Sequence, residues 1–462
     1  MLSTIKLFEK VPVRFNVAVM LFMACFTAYM IRTNISIVMI PMIKENDTNN
    51  TSSSSSSNDY GPRYTWSKKD QSMILGGFFY GYLATSLIGG VLSEKFGGRN
   101  VVGCSLFFSG IITFVSPFFA QDSFWPIFLT RLMLGVIGGV IYPGLHCLVA
   151  KWAPPNEKGK FVSALLGGLA GTVVTWSMLG FIIENFGWKY GFYVPAVFAI
   201  FITFLWFLLV ANSPEDHPRI TKEERDYIHK QLGDTISKEK NILPVCSVLA
   251  SIPFLALMIL HYGSLWGLYF LMNAAPTFMF QALDFNLSKA GILSALPPLA
   301  RLLAGFAFGA VGDYIRDKNI FHVTTIRKSF CLFSHIIPGL LLLSITLLAF
   351  NKYLIVAVIT LSLGFNGSAV MTNLQNSQDL APNFAGSLYG IINFVGTTSG
   401  FITPLIVAYF TEHGHSILEW QYVFWVGAAA YIAPAFIFFI FGDGKVQKWN
   451  DYKKNDTIDT KL

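Results

Sequence analysis

Twelve runs of about 20 apolar residues, each long enough to cross a hydrocarbon core of ~30 Å as a helix, leave this chain one medium to fold in. They lie near 15–43, 71–92, 101–120, 124–150, 161–184, 190–211, 247–280, 289–311, 328–349, 353–377, 384–410 and 420–441, and are numbered spans 1 to 12. Lipid offers no partner to a backbone N–H or C=O, so a spanning segment is a helix or a barrel strand, and these runs lack barrel alternation. Hydrophobic residues make up 53% of the 462 and charged ones 13%, which excludes a soluble enzyme. The expectation is an all-α membrane protein with twelve transmembrane helices.

Basic residues orient it. With both termini inside, 23 Lys and Arg fall in tails and inner loops, 7 in outer loops and 3 within spans, which predicts cytosolic termini. The net charge of +7 is then a topology signal, and no basic soluble domain exists to bind nucleic acid. The first run is too long for a signal peptide and is followed by no small-residue cleavage site. None of the five cysteines sits in an outer loop, so no disulfide is expected.

The organisation reads as an N-terminal six-helix half (1–211), a cytosolic linker (212–246), a C-terminal six-helix half (247–441) and a cytosolic tail (442–462). Residues 44–70, with "TSSSSSSN", are too polar to pack and are read as a disordered, glycosylated outer loop with sequons at Asn46, Asn49 and Asn50. Asn286 supplies a further outer sequon. Two motifs recur at a near-constant offset: "GVLSEKFGGR" from Gly90 and "GAVGDYIRDK" from Gly309, then "PNEKG" from Pro155 and "PNFAG" from Pro382. Their register argues for a duplicated six-helix unit.

Three arginines lie deep in spans, Arg32, Arg131 and Arg301, while all 26 Asp and Glu lie in loops or at span ends. Burying an unpaired Arg at mid-membrane costs roughly 3 kcal/mol or more. Arg32 is about 18 Å of helical rise from Lys44, too deep to snorkel easily. A positive interior without carboxylates attracts anions, and guanidinium offers the bidentate fork that carboxylate and phosphate accept. A small anionic substrate follows. Arg131 shares a face with Gly135, Gly138 and Tyr142, so Tyr142 joins the substrate candidates, and backbone hydrogen bonding is the alternative for Arg131. Glu94, Lys95 and Arg99 after span 2, and Asp313 and Arg316 after span 8, are candidate inner-gate charges or plain topology determinants. "EHGH" from Glu412 reads as solvated, so no metal site is expected, and no nucleophile, base and orienter set marks an enzyme. His261 and His335 read as packed within spans 7 and 9, and "GGLAGT" from Gly167 as a close-packing stripe.

The duplicated unit and its acidic and basic signature resemble the major facilitator superfamily, whose fold packs two six-helix halves around a central cavity. The stretches "YPGLHCLVAKWAPPNEKGK", "NSPEDHPRITKEERDYI", "LSALPPLARLLAGFAFGAVGDYIRDK", "TTIRKSF" and "EWQYVFW" resemble its anion and phosphate cotransporter branch, which contains sialin and the vesicular glutamate transporters. The resemblance implies anion contact and coupling at Arg32, Arg131 and His146. It also shows departures: Leu134 and Gly138 replace the span 4 glutamates of sialin-like members, and Leu75 and Ser264 replace a histidine and an arginine of the glutamate transporters.

These features predict a secondary transporter of inorganic phosphate or small organic anions, working by alternating access, functional as a monomer in the bilayer and without a cofactor. Phosphate members of the branch are associated with Na⁺, so Na⁺ held by neutral oxygens such as those of Asn34, Ser36, Asn366, Asn373 and Asn376 is the expected coupling ion. Alternatives are a proton-coupled sialate transporter, with His146 titrating, and a non-transporting anion receptor. The N-terminal tail carries no acidic dileucine signal, which favours the plasma membrane over lysosomal or vesicular membranes.

Overall fold

The computed structural model describes residues 12–44, 60–86, 88–154, 161, 164–233, 244–318, 320–345, 351–381, 384–412 and 417–451. Among these, eleven helices are long and apolar enough to cross a membrane: Val13–Met42, Gly98–Phe119, Trp125–Val149, Gly167–Phe186, Tyr190–Leu209, Ile252–Ala282, Leu287–Arg316, Val323–Ser344, Lys352–Ser377, Ser387–Phe410 and Glu419–Phe441. They are span 1 and spans 3 to 12. Span 2 is Lys68–Ser86 and Gly89–Phe96, on either side of Leu87.

The chain divides into two compact units, Met1–Lys238 with Leu287–Ile292, and Glu239–Asn286 with Leu293–Leu462. In the first, span 1 packs against spans 5 and 6, and span 6 against span 3. In the second, span 7 packs against spans 11 and 12, and span 12 against span 9. The same pairs recur six spans later. With lipid outside, helices associate by close approach, and the Gly167 and Gly171 stripe shows how. A Cβ at Gly167 would stand 3.0 Å from the carbonyl carbon of Phe22, and one at Gly171 3.0 Å from Cα of Phe26, so only glycine lets span 5 meet span 1 this closely.

Three stretches depart from regular α geometry, each where the sequence supplies a reason. Span 9 carries a π-bulge at Leu332–Ile336 just before Pro338, and span 7 one at Phe278–Ala282 just after Pro276. Span 10 passes from α-helix Lys352–Asn366 through a 3₁₀ turn Gly367–Met371 to Asn373–Leu380, with Thr372 outside helical geometry at φ −112° and ψ −102°. Its sequence there, "NGSAVMTN", is dense in side chains that compete for backbone hydrogen bonds.

Two expectations are corrected. Disorder across 44–70 does not extend to 60–66. Trp188 donates its N–H to Tyr60 O (3.0 Å) and its indole Nε1–H to Pro62 O (2.9 Å), and Tyr64 pairs with Met42 and Lys44. Indole and backbone donors pin this segment despite its polar company. Span 9 begins at Val323, five residues earlier than expected, because Arg327 is not a loop cation. It is 1% exposed, holds Asp379 by a bidentate pair (Nε to Oδ2 2.6 Å, Nη2 to Oδ1 3.1 Å) and donates from Nη1 to Met371 O at 2.7 Å.

The linker joins the first unit. Its helix Lys222–Gly233 places Ile228 in a core with Trp152 and Trp206, and Glu224 caps span 1 by accepting the N–H groups of Val13 and Arg14, both at 3.0 Å. Next to it His217 stands edge-on to Trp152, donates from Nε2 to Leu209 O (3.3 Å) and accepts the Arg219 N–H at Nδ1 (3.2 Å). Desolvation by burial holds its pKa below the ordinary 6.5, with the Leu209 carbonyl acting against that.

Two outcomes are expected. Arg327→Met or Asp379→Ala alone strands a buried charge and destabilises by ~3–5 kcal/mol, whereas the double change recovers much of the loss, checked by thermal unfolding in detergent. A depressed folded-state pKa makes the contribution of His217 complete above pH 6.5 and lost as pH falls below it. Proteolysis of the linker therefore rises on acidification, and His217→Gln flattens that rise.

Candidate functional site

In the first unit two arginines lie against the Phe78 ring. Arg32, 8% exposed, lies midway along span 1, inside a ring of aromatics. Its Cζ is 4.5 Å from the ring centre of Phe79, 5.0 Å from Phe78, 5.1 Å from Tyr29 and 5.9 Å from Tyr82. Tyr29 comes from the preceding turn of the same helix, and Phe78 and Tyr82, four residues apart, line one face of span 2. The negative faces of these rings replace part of the hydration that the cation loses.

Arg131, 1% exposed, reaches across from span 4 and donates from Nη2 to Arg32 O (2.7 Å) and from Nη1 to Ile31 O (3.3 Å). It grips the backbone of the very residue that carries the first charge. A cavity of about 20 Å³ opens beside Arg32, lined by Phe78, Tyr82, Ser109, Gly138 and Tyr142 among others, with room for a water or one small-ligand atom. Tyr142 donates to Leu165 O at 3.5 Å and meets the Tyr29 ring edge-on at 6.3 Å. Two desolvated cations within electrostatic reach of one another give this region a positive field.

The second unit holds a buried polar network at the π-bulge of span 9 and the break of span 10. Asn373 bonds His261 Nδ1 through Nδ2 (2.7 Å) and accepts from Thr372 through Oδ1 (3.0 Å). Ser334 bonds His335 Nδ1 (2.7 Å), and Asn366 Nδ2 donates to Ser334 O (2.8 Å). Arg301, half-buried on span 8, interacts electrostatically with His261, His335 and Tyr431.

The structure groups Arg32, Arg131 and Tyr142 in one place and Arg301 and Asn373 in the other unit. His146 is exposed. Asn376 ties span 10 to the loop after span 12, donating to Asp443 O at 2.9 Å. Arg99 caps the end of span 6, donating from Nη2 to Phe207 O (2.6 Å) and from its backbone N–H to Asn212 Oδ1 (2.9 Å). Lys95 and Arg316 are exposed, and the side chains of Glu94 and Asp313 lie outside the described residues. Asn286 is exposed outside a helix, while Asn46, Asn49 and Asn50 lie outside the described residues. Sequence reasoning missed the aromatic ring around Arg32, although "FFYGY" in span 2 carried the signal, and it missed the pairing of His261 with Asn373, which no spacing reveals.

Comparison with known proteins completes the description. Residues 21–404 match the family model described as Major Facilitator Superfamily. The chain is 33% identical over 454 residues to sialin of Homo sapiens, covering 95% of this chain and 91% of that protein. It is 30% identical over 446 residues to vesicular glutamate transporter 3 of Danio rerio, covering 95% and 75%. Its fold matches a D-xylose–proton symporter with a TM-score of 0.66 at 15% identity, covering 93% of this chain and 98% of that one. Among the described residues no group of three or more potential metal ligands is found.

Arg131→Met removes both bonds to span 1 while leaving the Arg32 side chain, and is expected to weaken anion affinity about tenfold, with Arg131→Lys intermediate because it restores one donor. The concentration dependence of uptake into proteoliposomes checks this; unchanged half-saturation in Arg131→Met would exclude a positioning role.

Proposed function

The chain belongs to the Major Facilitator Superfamily, in the branch of sialin and the vesicular glutamate transporters, and from that premise we propose that it carries inorganic phosphate or small organic anions by alternating access. It is a multi-pass membrane transporter and not an enzyme. The observation that carries the anion reading is the Arg32 and Arg131 pair, in which the Arg131 guanidinium bonds the backbone carbonyl of Arg32, in spans to which the sequence contributes no mid-depth carboxylate. A small anion would be held there by charge and by the planar guanidinium fork.

Coupling to Na⁺ belongs to the same proposal. Asn34 and Asn366 each keep a buried Oδ1 without a hydrogen-bond partner, neutral oxygens of the hard kind that a hard cation prefers. Proton-coupled uptake of an acidic sugar is the second reading, favoured by the likeness to sialin. We assign the protein to the plasma membrane, which surface biotinylation tests, and its outer sequons to glycosylation, which glycosidase treatment tests.

Arg32→Ala and Arg32→Lys are both expected to abolish uptake with surface level unchanged, because an ammonium cannot reproduce a planar fork lying among rings. In proteoliposomes with Na⁺ and H⁺ gradients imposed separately, inward uptake follows Na⁺ and survives His146→Gln at least in part. Uptake that ignores Na⁺ and collapses with the pH gradient rejects sodium coupling, and binding without flux rejects transport.

A further inference from the structure

One turn of span 1 is held from three neighbouring spans. The carbonyls of Ile31 and Arg32 accept from Arg131 of span 4 at 3.3 and 2.7 Å, and that of Thr33 accepts the indole Nε1–H of Trp176 of span 5 at 3.1 Å. Asn34 Nδ2 donates to Gly191 O of span 6 at 3.1 Å. Ile31, Arg32, Thr33 and Asn34 are all buried. A helical carbonyl that has taken its own N–H keeps a second lone pair, so these bonds need no break in the helix.

The sequence sets up each contact. In span 6 the N–H that would pair with Gly191 O belongs to position 195, a proline, so that carbonyl is left to Asn34. In span 5 the partners of Gly167, Gly171 and Trp176 are Phe22, Phe26 and Thr33, ascending together, so spans 1 and 5 run side by side in one register. The glycines bring the backbones into contact, and the indole that ends "GGLAGTVVTW" reaches across the seam with a donor that no aliphatic side chain has.

Consecutive helical residues are turned by about 100° around the axis, so ties at four of them in a row leave the helix on different sides. Together they oppose rotation of span 1 about its axis and sliding along it. Arg32 is the side chain that this turn carries, and a planar fork recognises a ligand only while its orientation is kept to within about 20°. Thr33 adds to the hold by donating from Oγ1 to the carbonyl of Tyr29 (2.8 Å), whose ring centre is 5.1 Å from the Arg32 Cζ.

We infer that Trp176 and Asn34 are positioning residues for Arg32, acting with Arg131 to fix the depth and rotation of the turn from which the guanidinium meets its anion. The inference rests on the reading of Arg32 as the anion contact. Neither the indole N–H nor the Asn34 amide N–H touches the anion.

The test is thermal stabilisation of the purified full-length protein at pH 8 by inorganic phosphate, glutamate and sialate, with proteoliposome uptake of the stabilising anion as second readout. Trp176→Phe keeps an aromatic ring and removes the N–H, and raises the half-stabilising concentration and the half-saturation of uptake about fivefold. In Trp176→His the Nε2–H of the neutral ring takes the same place as the indole Nε1–H, while the six-membered ring is lost. It therefore melts below Trp176→Phe in the absence of anion and yet binds the anion more tightly. Packing alone predicts the opposite, with affinity falling together with melting temperature from wild type to Phe to His, and that order overturns the proposal. Equal affinity in wild type and Trp176→Phe overturns it too, and leaves anion transport standing if Arg32→Ala abolishes stabilisation. A wild-type protein that none of the three anions stabilises or crosses with overturns the anion reading and this inference with it. If Trp176→Phe does not fold, Asn34→Ala decides, read at saturating Na⁺: a several-fold rise in half-saturation upholds the positioning role, and a wild-type value overturns it.

Discussion

The desolvation of arginine governs this molecule. Lipid returns nothing to a guanidinium for the water it loses, so each buried arginine survives only through what the protein places around it. The structure uses three solutions. Arg327 has a carboxylate, Asp379, in bidentate contact and is thereby neutralised. Arg131 has backbone carbonyls at Ile31 and Arg32, and Arg32 has the faces of four aromatic rings. A carboxylate cancels the charge, whereas carbonyl dipoles and ring quadrupoles lower its cost and leave its sign. Arg327 is thus fitted to hold spans 9 and 10 together.

The same medium explains where the polar network lies. A helix that departs from α geometry inside a membrane frees backbone groups that must find partners within the protein. Around the break in span 10 those partners come from Ser, Thr and Asn side chains: Asn366 bonds Ser334 O, and Ser368 Oγ donates to Phe365 O at 2.9 Å. Polar side chains recruited to repair the backbone then have further donors and acceptors to place. Asn373 spends its amide on Thr372 and His261, and so ties span 10 to span 7.

How much of this was legible in the sequence depends on the range of the interaction. The spans were legible because apolar length is a local property, and the depth of Arg32 followed from counting to Lys44. The backbone alternative for Arg131 could be named, yet its partners could not, since a carbonyl acceptor leaves no mark on residue type. Arg327 was misplaced because a basic residue near a span end looks the same whether it meets water or a carboxylate 52 residues away. The ring around Arg32 was half legible: span 2 advertises its aromatics, but that they face span 1 is set by helix rotation. His261 and Asn373 are separated by 112 residues, and only the fold brings them together.

A positive site would account for binding of an anion and leave its accumulation to be explained. An inside-negative potential opposes entry of each negative charge by about 2.3 kcal/mol per 100 mV, so uphill uptake needs a cation that travels with the anion. A proton needs a group that can take it up and release it. His335 has committed both nitrogens, and His261 would have to give up the Asn373 bond at Nδ1 before accepting a second proton there. Protonation of either ring therefore disturbs an existing hydrogen bond. A sodium ion meets neither obstacle, since it asks only for oxygens with unused lone pairs, and buried Asn34 Oδ1 and Asn366 Oδ1 have them. These costs are the grounds on which Na⁺ coupling is proposed above.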